Sequence, residues 1–407
     1  MWLAALVRAV LRKSPAPPEE DEAIEAIAAF IETHRRFDEA FNLRERAHVR
    51  RWLFRPPSMG AVPWPVPPAA GVLDLAELLE IDGRELEWLA DTRRYLNRAR
   101  SPRLAHYHST WLLKPGGGFR LIETPKPLIK LVQRRVLRRI LDVIPVHERA
   151  EGFVRGRSPL SHASRHTGSA ALLCLDLEDF FTSIPFGRVY RVFRAAGYPV
   201  PVARSLAGVC TTALPTVELA RMPRPRLASE VPHHQRLRQS ALRRHLPQGA
   251  PTSPALANLC ALGLDRRLHA AARAAGLQYS RYADDLAFSG GGDFPRRARD
   301  FAVLAAAIAI DEGFCVNFRK TRVTRQSARQ RVCGVVVNDH PNVPREDYDH
   351  LKAILTNCVR RGAVGENREG LADFRGHLRG RVGWVQAIAP AKGAKLARLF
   401  ETIDWDR

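Results

Sequence analysis

Two adjacent aspartates stand between short apolar runs in Tyr279-Ser-Arg-Tyr282-Ala-Asp284-Asp285-Leu-Ala-Phe288. Aromatic and aliphatic residues favour strands and Asp favours turns, so this stretch predicts a hairpin with acids at its turn. Ala171-Leu-Leu-Cys-Leu-Asp176 predicts a buried strand that ends in a third carboxylate. Leu246-Pro-Gln248-Gly249-Ala-Pro-Thr-Ser253-Pro254 predicts a tight loop that opens a long Ala- and Leu-rich helix. Ser253 reads as its N-cap and Pro254 as its first helical residue. Each segment has a plain reading of its own: a solvated turn, a helix cap, a loop. Together, in this order, they point to acids that converge, because a strand end and a hairpin turn can meet although far apart in sequence.

Composition narrows the chemistry. The 407-residue chain has 64 Lys and Arg against 42 Asp and Glu, a formal net charge of +22. That balance points to a polyanionic partner, nucleic acid first. A hydrophobic content of 45% excludes a wholly disordered basic tail. No apolar run approaches the roughly 20 residues that span a bilayer, so no membrane partner is expected. The six cysteines include no Cys-x-x-Cys pair, which argues against a structural zinc site, and most read as small core residues. Residues 1–13 lack a signal-peptide layout, and a cytoplasmic location is the default. Adding a nucleotide to a primer 3′-hydroxyl uses two divalent cations about 4 Å apart. Mg²⁺ takes oxygen ligands, typically one or two carboxylates plus substrate phosphates. Acids on neighbouring strands of a rigid sheet suit such a pair of ions.

Helical spacing predicts helices over residues 1–13, from about Glu19 to Phe54, and from Leu73 to Arg100. Pro56 to Pro68 holds six prolines in thirteen residues and reads as a linker or an extended brace. Residues 1–105 are therefore assigned to an N-terminal helical region with a Pro-rich linker at 56–68, which carries no chemical signal. From Tyr107 the pattern turns to mixed strand and helix, and Lys114-Pro-Gly-Gly-Gly-Phe-Arg120 suits a hairpin tip. Leu128, Leu131, Val132, Val136, Leu137 and Ile140 share one helical face. Lys130, Arg134, Arg135, Arg138 and Arg139 share the other, which is either solvated or in contact with phosphate. Thr211 to His245 reads as an insertion that touches RNA or as a solvated loop, and Gly290-Gly-Gly-Asp293 as a flexible loop. Arg345 to the end reads as helical.

Over about residues 107–400 these segments resemble reverse transcriptases, most closely the bacterial retron type. Tyr282-Ala283-Asp284-Asp285 is similar to the Tyr-x-Asp-Asp box, and Asp176 to the first metal-binding aspartate. The resemblance implies that Asp176, Asp284 and Asp285 are catalytic and hold two Mg²⁺ ions. The adjacent pair would have unequal roles, since neighbours on a strand face opposite ways. It also implies nucleotide-binding roles for Phe181, Gln248, Gly249, Arg120, Lys114 and Lys320. Phe181 would exclude a 2′-hydroxyl, Gln248 and Gly249 would line the incoming nucleotide, and Arg120 and Lys114 would meet the triphosphate. Lys320, in Asn317-Phe-Arg-Lys320-Thr321, would act at the pyrophosphate, with a plain surface phosphate contact as the alternative. Phe119 through Gln133 and Gly152-Phe-Val-Arg-Gly-Arg-Ser158 resemble the two fingers motifs.

His377-Leu-Arg379-Gly-Arg381-Val-Gly-Trp384 is similar to the retron thumb. It implies RNA contacts from Arg375, Arg379 and Arg381, with Trp384 read as core. Retron enzymes are expected to carry Asn-Ala-x-x-His and Val-Thr-Gly elements. This chain has His162-Ala-Ser-Arg-His166, with His where Asn is expected, and Val332-Cys333-Gly334, with Cys where Thr is expected. His166 reads equally as structural or functional.

The expected fold class is α+β. It is a right-hand polymerase with an N-terminal helical region (1–105), fingers and an antiparallel-sheet palm (106–340), and a helical thumb (341–407). The implied function is DNA synthesis on a structured non-coding RNA template, with deoxynucleoside triphosphates as substrates and a DNA product. Its setting would be antiphage defence with a separate effector protein. Two alternatives are a defence reverse transcriptase without a retron RNA and a non-catalytic RNA-binding scaffold on the same fold. The intact set of three aspartates argues against the scaffold.

Overall fold

A computed structural model of the chain describes residues 58–95, 104–114 and 117–405. The helices expected over 1–13 and 19–54, the first two linker prolines, residues 96–103 and tip residues 115–116 lie outside that description. Residues 58–71 run without helix or strand, as a proline-dense segment must when backbone donors are missing and φ is fixed. The helix expected from Leu73 breaks into α1 (Val72–Leu78) and α2 (Gly83–Ala90), with Glu80 at φ 52 between them. A reciprocal cap starts α2: Asp82 accepts from the Glu85 N–H at 2.7 Å, and Glu85 accepts from the Asp82 N–H at 3.1 Å. Leu75, Leu79, Leu86 and Leu89 are buried in the large core together with Ile129, Val132 and Val136, so this segment is a brace.

The Gly-rich tip joins β1 (Tyr107–Leu113) and β2 (Phe119–Pro125) as an antiparallel hairpin. The next helix, α3 (Pro127–Val136), runs into one π-type turn at Leu137–Leu141. Ile129, Val132, Val136 and Ile140 are buried, but Leu131 is 44% exposed, so the apolar stripe is narrower than the sequence pattern. The basic face is partly used within the chain. Arg135 donates to the carbonyls of Leu79 (2.6 Å) and Glu80 (3.1 Å), and Arg139 to that of Leu78. Both guanidinium groups also pair with the Glu80 carboxylate. They cap the carbonyl end of α1, where the helix dipole is negative.

After α4 (Pro159–Ser164), the central strand β3 (Ala171–Glu178) is buried on both faces. The helices α5 (Phe186–Ala195), α6 (Val200–Cys210), α7 (Thr216–Leu219), α8 (Val231–Leu242), α9 (Ser253–Cys260) and α10 (Leu262–Ala274) precede β4 (Gln278–Tyr282) and β5 (Asp285–Gly290). Then α11 (Phe294–Asp311) leads to β6 (Cys315–Val316) and β7 (Arg322–Arg325). Among the described residues these strands form a five-stranded sheet, β4-β5-β3-β6 with β7 also on β3, antiparallel throughout. A small ribbon of β8 (Arg331–Val332) and β9 (Val335–Val336) precedes α12 (Arg345–Arg361), α13 (Phe374–Ile388) and α14 (Pro390–Glu401).

Strand alternation assigns each face of β3 its own core. Leu173, Leu175 and Leu177 enter the large core, whereas Leu172 joins Val335, Leu351, Leu378, Val382 and Leu396 in a second one under the C-terminal helices. Mixed helix and antiparallel sheet is thus the observed class.

Several local expectations change. Trp384 is not core: it is 41% exposed, off the buried stripe of Leu378, Val382, Val385 and Ile388. The 211–245 stretch is folded, with Leu214, Leu219 and Ala241 packed against Leu121 of β2. The glycine run at 290 is short, since Gly290 ends β5 and Asp293 precedes α11, bonding Arg297 at 2.7 Å. Cys210 and Cys358 are buried as expected, while Cys315 is exposed. No described helix is long and apolar enough to cross a membrane.

Candidate active site

The register of β3 on β5 sets Asp176 directly opposite Asp285. Opposed residues in an antiparallel pair share a face of the sheet, so both carboxylates stand on one face. Cys174, Ala287, Tyr282 and Ser280 share it by the same register. Asp284 lies in the turn beside Ala283, which takes φ 56, and its carbonyl accepts the Leu177 N–H at 2.9 Å. The adjacent acids therefore differ in setting, one in a turn and one at the start of a strand.

Burial raises the Asp284 carboxyl, and Asp176 adds to it. Burial, then Asp284 and Asp176, push Asp285 up to about 6. The Lys320 Nζ sits 2.9 Å from Asp176 Oδ1, one ammonium among three acids. An all-oxygen donor set that is short of positive charge suits a hard divalent cation. Among the described residues no three carboxylate, imidazole or thiol side chains already close round a metal position. The fit rests on donor chemistry and on the shared face.

Arg120 on β2 is close enough to Asp284 to oppose the rise of its carboxyl. The Lys114 Nζ is 3.3 Å from Asp179 Oδ1, while His233 of α8 takes Oδ2 at 2.8 Å. Burial pushes Asp179 up, but these two partners outweigh it and hold the carboxyl below its usual range. Glu230, just before α8, accepts the Gly118 N–H at 3.1 Å. The stretch read as an RNA-touching insertion or loop thus folds back onto the Gly-rich tip.

The Glu123 N–H donates to the Gln248 carbonyl at 2.9 Å, pinning the Gln-Gly loop to β2. Gly249 is at φ +135, and a Cβ there would come 2.7 Å from the Glu123 carbonyl oxygen, so only glycine fits. Ser253 is inside α9 and is not its cap; its Oγ donates to the Pro247 carbonyl at 2.6 Å and closes the loop. Phe181 is packed against the large core, its ring 6.0 Å from Phe153, which is 6.3 Å from Tyr282. Arg375 and Arg379 lie over the rings of Trp405 and Phe400, at 5.5 and 5.9 Å, and Arg381 is half-buried on α13.

Sequence reasoning missed what grips the hairpin. Arg281 and Asp265 are both 0% exposed and form a two-pronged pair, Nε to Oδ1 at 2.8 Å and Nη2 to Oδ2 at 2.7 Å. The Tyr279 hydroxyl donates to the same Oδ1 at 2.7 Å. Arg281 Nη1 donates to Asn258 Oδ1 and to the Ala283 carbonyl, each at 3.0 Å, so the pair reaches the turn itself. An arginine inside a buried strand signals that an acidic partner exists, but not which one. On the other face, Ser280 Oγ contacts His162 Nδ1 and His166 Nε2, each at 2.7 Å, and His166 Nδ1 contacts Ser289 Oγ at 2.8 Å. Cys333 Sγ lies 3.8 Å from Asp285 Oδ2.

Burial drives the His162 imidazole down to about 4, with Arg165 and Arg281 adding and Glu151 opposing. Burial, then His162, Arg165 and Arg149, take His166 down to about 3. An unfolded imidazole binds its proton near pH 6.5, so the unfolded chain gains protons first as pH falls. The pair leaves stability undiminished above pH 6.5 and lowers it from there toward pH 4. His245 acts oppositely: burial lowers it, but Glu123 more than restores it. His162→Asn is expected to flatten the slope of urea-unfolding free energy between pH 6 and 4.5 by about 1 kcal/mol per pH unit. An unchanged slope would contradict a neutral His162.

A family model described as reverse transcriptase (RNA-dependent DNA polymerase) matches residues 112–337. The chain is 39% identical over 303 residues to the Retron Mx65 reverse transcriptase of Myxococcus xanthus, covering 73% of this chain and 64% of that protein. It is 37% identical over 342 residues to the Retron Mx162 reverse transcriptase of the same organism, covering 80% and 66%. It is 30% identical over 311 residues to the Retron Ec73 reverse transcriptase of Escherichia coli, covering 72% and 87%. The chain thus spans just under two thirds of the length of the first two of these relatives.

Proposed function

Because the chain belongs to the reverse transcriptase family, and within it to the retron type, we propose that it copies a structured RNA into DNA. The observation that carries this reading is Asp176 opposite Asp285, with Asp284 in the adjoining turn. In this proposal the five-stranded sheet is the palm, β1, β2 and α3 belong to the fingers, and α12 to α14 form the thumb. The boundaries are 1–105, 106–340 and 341–407. Asp176, Asp284 and Asp285 would hold two Mg²⁺ ions, which supply positive charge for the attacking 3′-oxygen and the leaving pyrophosphate. Lys320, with its Nζ beside Asp176, is the proposed donor to pyrophosphate. Arg120 and Lys114 bind the triphosphate. Gly249, without a side chain, lets the loop backbone approach the nucleotide. Arg375, Arg379 and Arg381 hold RNA at the thumb. The net charge of +22 supports a polyanionic substrate held at many points.

Phe181 is partly buried and packed against the large core, and in this reading an added 2′-oxygen would meet its ring. Phe181→Ala is expected to relax discrimination against ribonucleotides by about 10- to 100-fold, the usual cost of a steric clash. Incorporation ratios equal to wild type would remove the gate. The template in this reading is an RNA encoded beside the enzyme, and the setting is antiphage defence with a separate effector. Sequencing the nucleic acid that copurifies from the host tests that part. RNA-linked DNA from the neighbouring locus is expected, and DNA of unrelated or repetitive sequence would favour a defence enzyme without a retron RNA.

A further inference from the structure

We propose that His162, Ser280, His166 and Ser289 form a positioning relay that sets the carboxylate face of the β4–β5 hairpin. This proposal rests on the polymerase reading above. Ser280 lies opposite Ala287, Ser289 lies opposite Gln278 and Leu172, and Tyr282 lies opposite Asp285. All are on the face that presents Asp176 and Asp285. His166 joins Ser280 of β4 to Ser289 of β5, stapling the two strands through side chains as well as through their backbone ladder. His162, on α4, adds a second imidazole to the same Ser280 oxygen and stands with its ring 5.8 Å from that of Tyr282. Tyr282 immediately precedes the turn that carries Asp284. The relay thus faces the opposite side of the hairpin from Arg281 and Asp265, and the acid-bearing turn is gripped from both sides.

The bonding leaves little freedom. Ser280 Oγ has one proton and must serve two imidazoles, while each neutral imidazole has one donor and one acceptor. Ser280 Oγ gives its proton to at most one ring, so at least one of the two imidazoles donates to it. His162 Nε2 stands apart: it is buried and has no hydrogen-bond partner among the described residues. A buried unpaired nitrogen lowers stability, so stability alone does not account for an imidazole at this position. An asparagine amide would place a polar atom where Nδ1 now stands, two bonds from Cβ, and would omit Nε2. His162→Asn therefore keeps the contact to Ser280 and removes the orphan, whereas His162→Leu loses both.

The test uses the full chain in primer extension on an RNA template, well below the melting temperature of each variant. Ser280→Ala and His162→Leu are expected to lower kcat by about 10- to 100-fold, the penalty for slightly misplaced reacting groups. KM for deoxynucleotide should stay within about two-fold, and the Mg²⁺ concentration for half-maximal rate should rise several-fold. His162→Asn should retain kcat within about three-fold and raise the melting temperature. Ser280→Ala removes a single oxygen and carries the test if the leucine variant does not fold. Wild-type kcat and Mg²⁺ requirement in folded Ser280→Ala would overturn the relay, as would an asparagine variant as impaired as the leucine one. Absence of extension by the wild type would overturn the polymerase reading and the relay with it. Extension by the wild type with indifferent variants would overturn the relay alone.

Discussion

Asp176→Asn and Asp284→Asn are each expected to slow primer extension by about a thousand-fold or more, with the fold intact. The amide keeps the shape of the side chain and removes its charge. Charge stabilisation through bound metal is worth several kcal/mol, and at 1.36 kcal/mol per ten-fold, a loss of about 4 kcal/mol is about a thousand-fold. Stability should move the other way for Asp284, because burial and Asp176 both disfavour its charge. Removing that charge should raise the melting temperature by about 1–3 °C. Asp176→Asn should be nearly neutral to melting, since its partner Lys320 is half-exposed and such pairs contribute little. Single-turnover extension and thermal melting on the same preparations separate the two effects. Equal extension by wild type and either variant would withdraw the metal assignment.

Arg281→Leu is expected to destabilise the protein by about 3–5 kcal/mol, because it strands the Asp265 carboxylate in a dry interior. A domain has only about 5–15 kcal/mol in hand, so the variant should lose a large share of its stability and unfold at a much lower urea concentration. Arg281→Lys should rescue little, since one ammonium cannot reproduce a fork that reaches Asp265, Asn258 and the Ala283 carbonyl together. The double variant Arg281→Met with Asp265→Leu replaces the buried pair by apolar volume and should recover much of the stability. It leaves the Ala283 carbonyl without its donor, so extension should stay slow in a protein that folds. Urea midpoints and extension rates together test this. A double variant with wild-type rate would show that the pair serves folding alone.

The acids and the Gln-Gly loop were legible because local pattern governs them. Asp-Asp between apolar runs puts Asp284 in a turn, and Gln-Gly between prolines marks a loop, although the demand for glycine at 249 itself comes from the distant Glu123 carbonyl. The partners of those residues were not legible, because they come from afar. Arg281 lies inside the hairpin motif itself, yet Asp265 and Asn258 are on helices whose own sequences give no sign of the pairing. Arg135 and Arg139 looked like a solvated or phosphate-binding face, since helical spacing cannot reveal that another helix ends against it. Trp384 looked like core because of its size, but the spacing of Leu378, Val382 and Val385 turns it outward. The class of fold follows from strand and helix periodicity; which helix lies against which face of the sheet follows from tertiary packing.

The way α1 and α2 are fastened bears on where this protein can be cut. Arg135 and Arg139 close the end of α1 from a helix in the following region. Arg244 similarly donates to the carbonyls of Ala90, Asp91, Gly208 and Thr211, and Gly208 lies so near Ala90 that no Cβ would fit between them. A chain trimmed to start near residue 106 would leave three guanidinium groups short of acceptors and bare the apolar seat of Leu75, Leu79, Leu86 and Leu89. Recombinant fragments and chimaeras should therefore be joined upstream of residue 58, because α1 and α2 share one core and one set of guanidinium contacts with the segments that follow them.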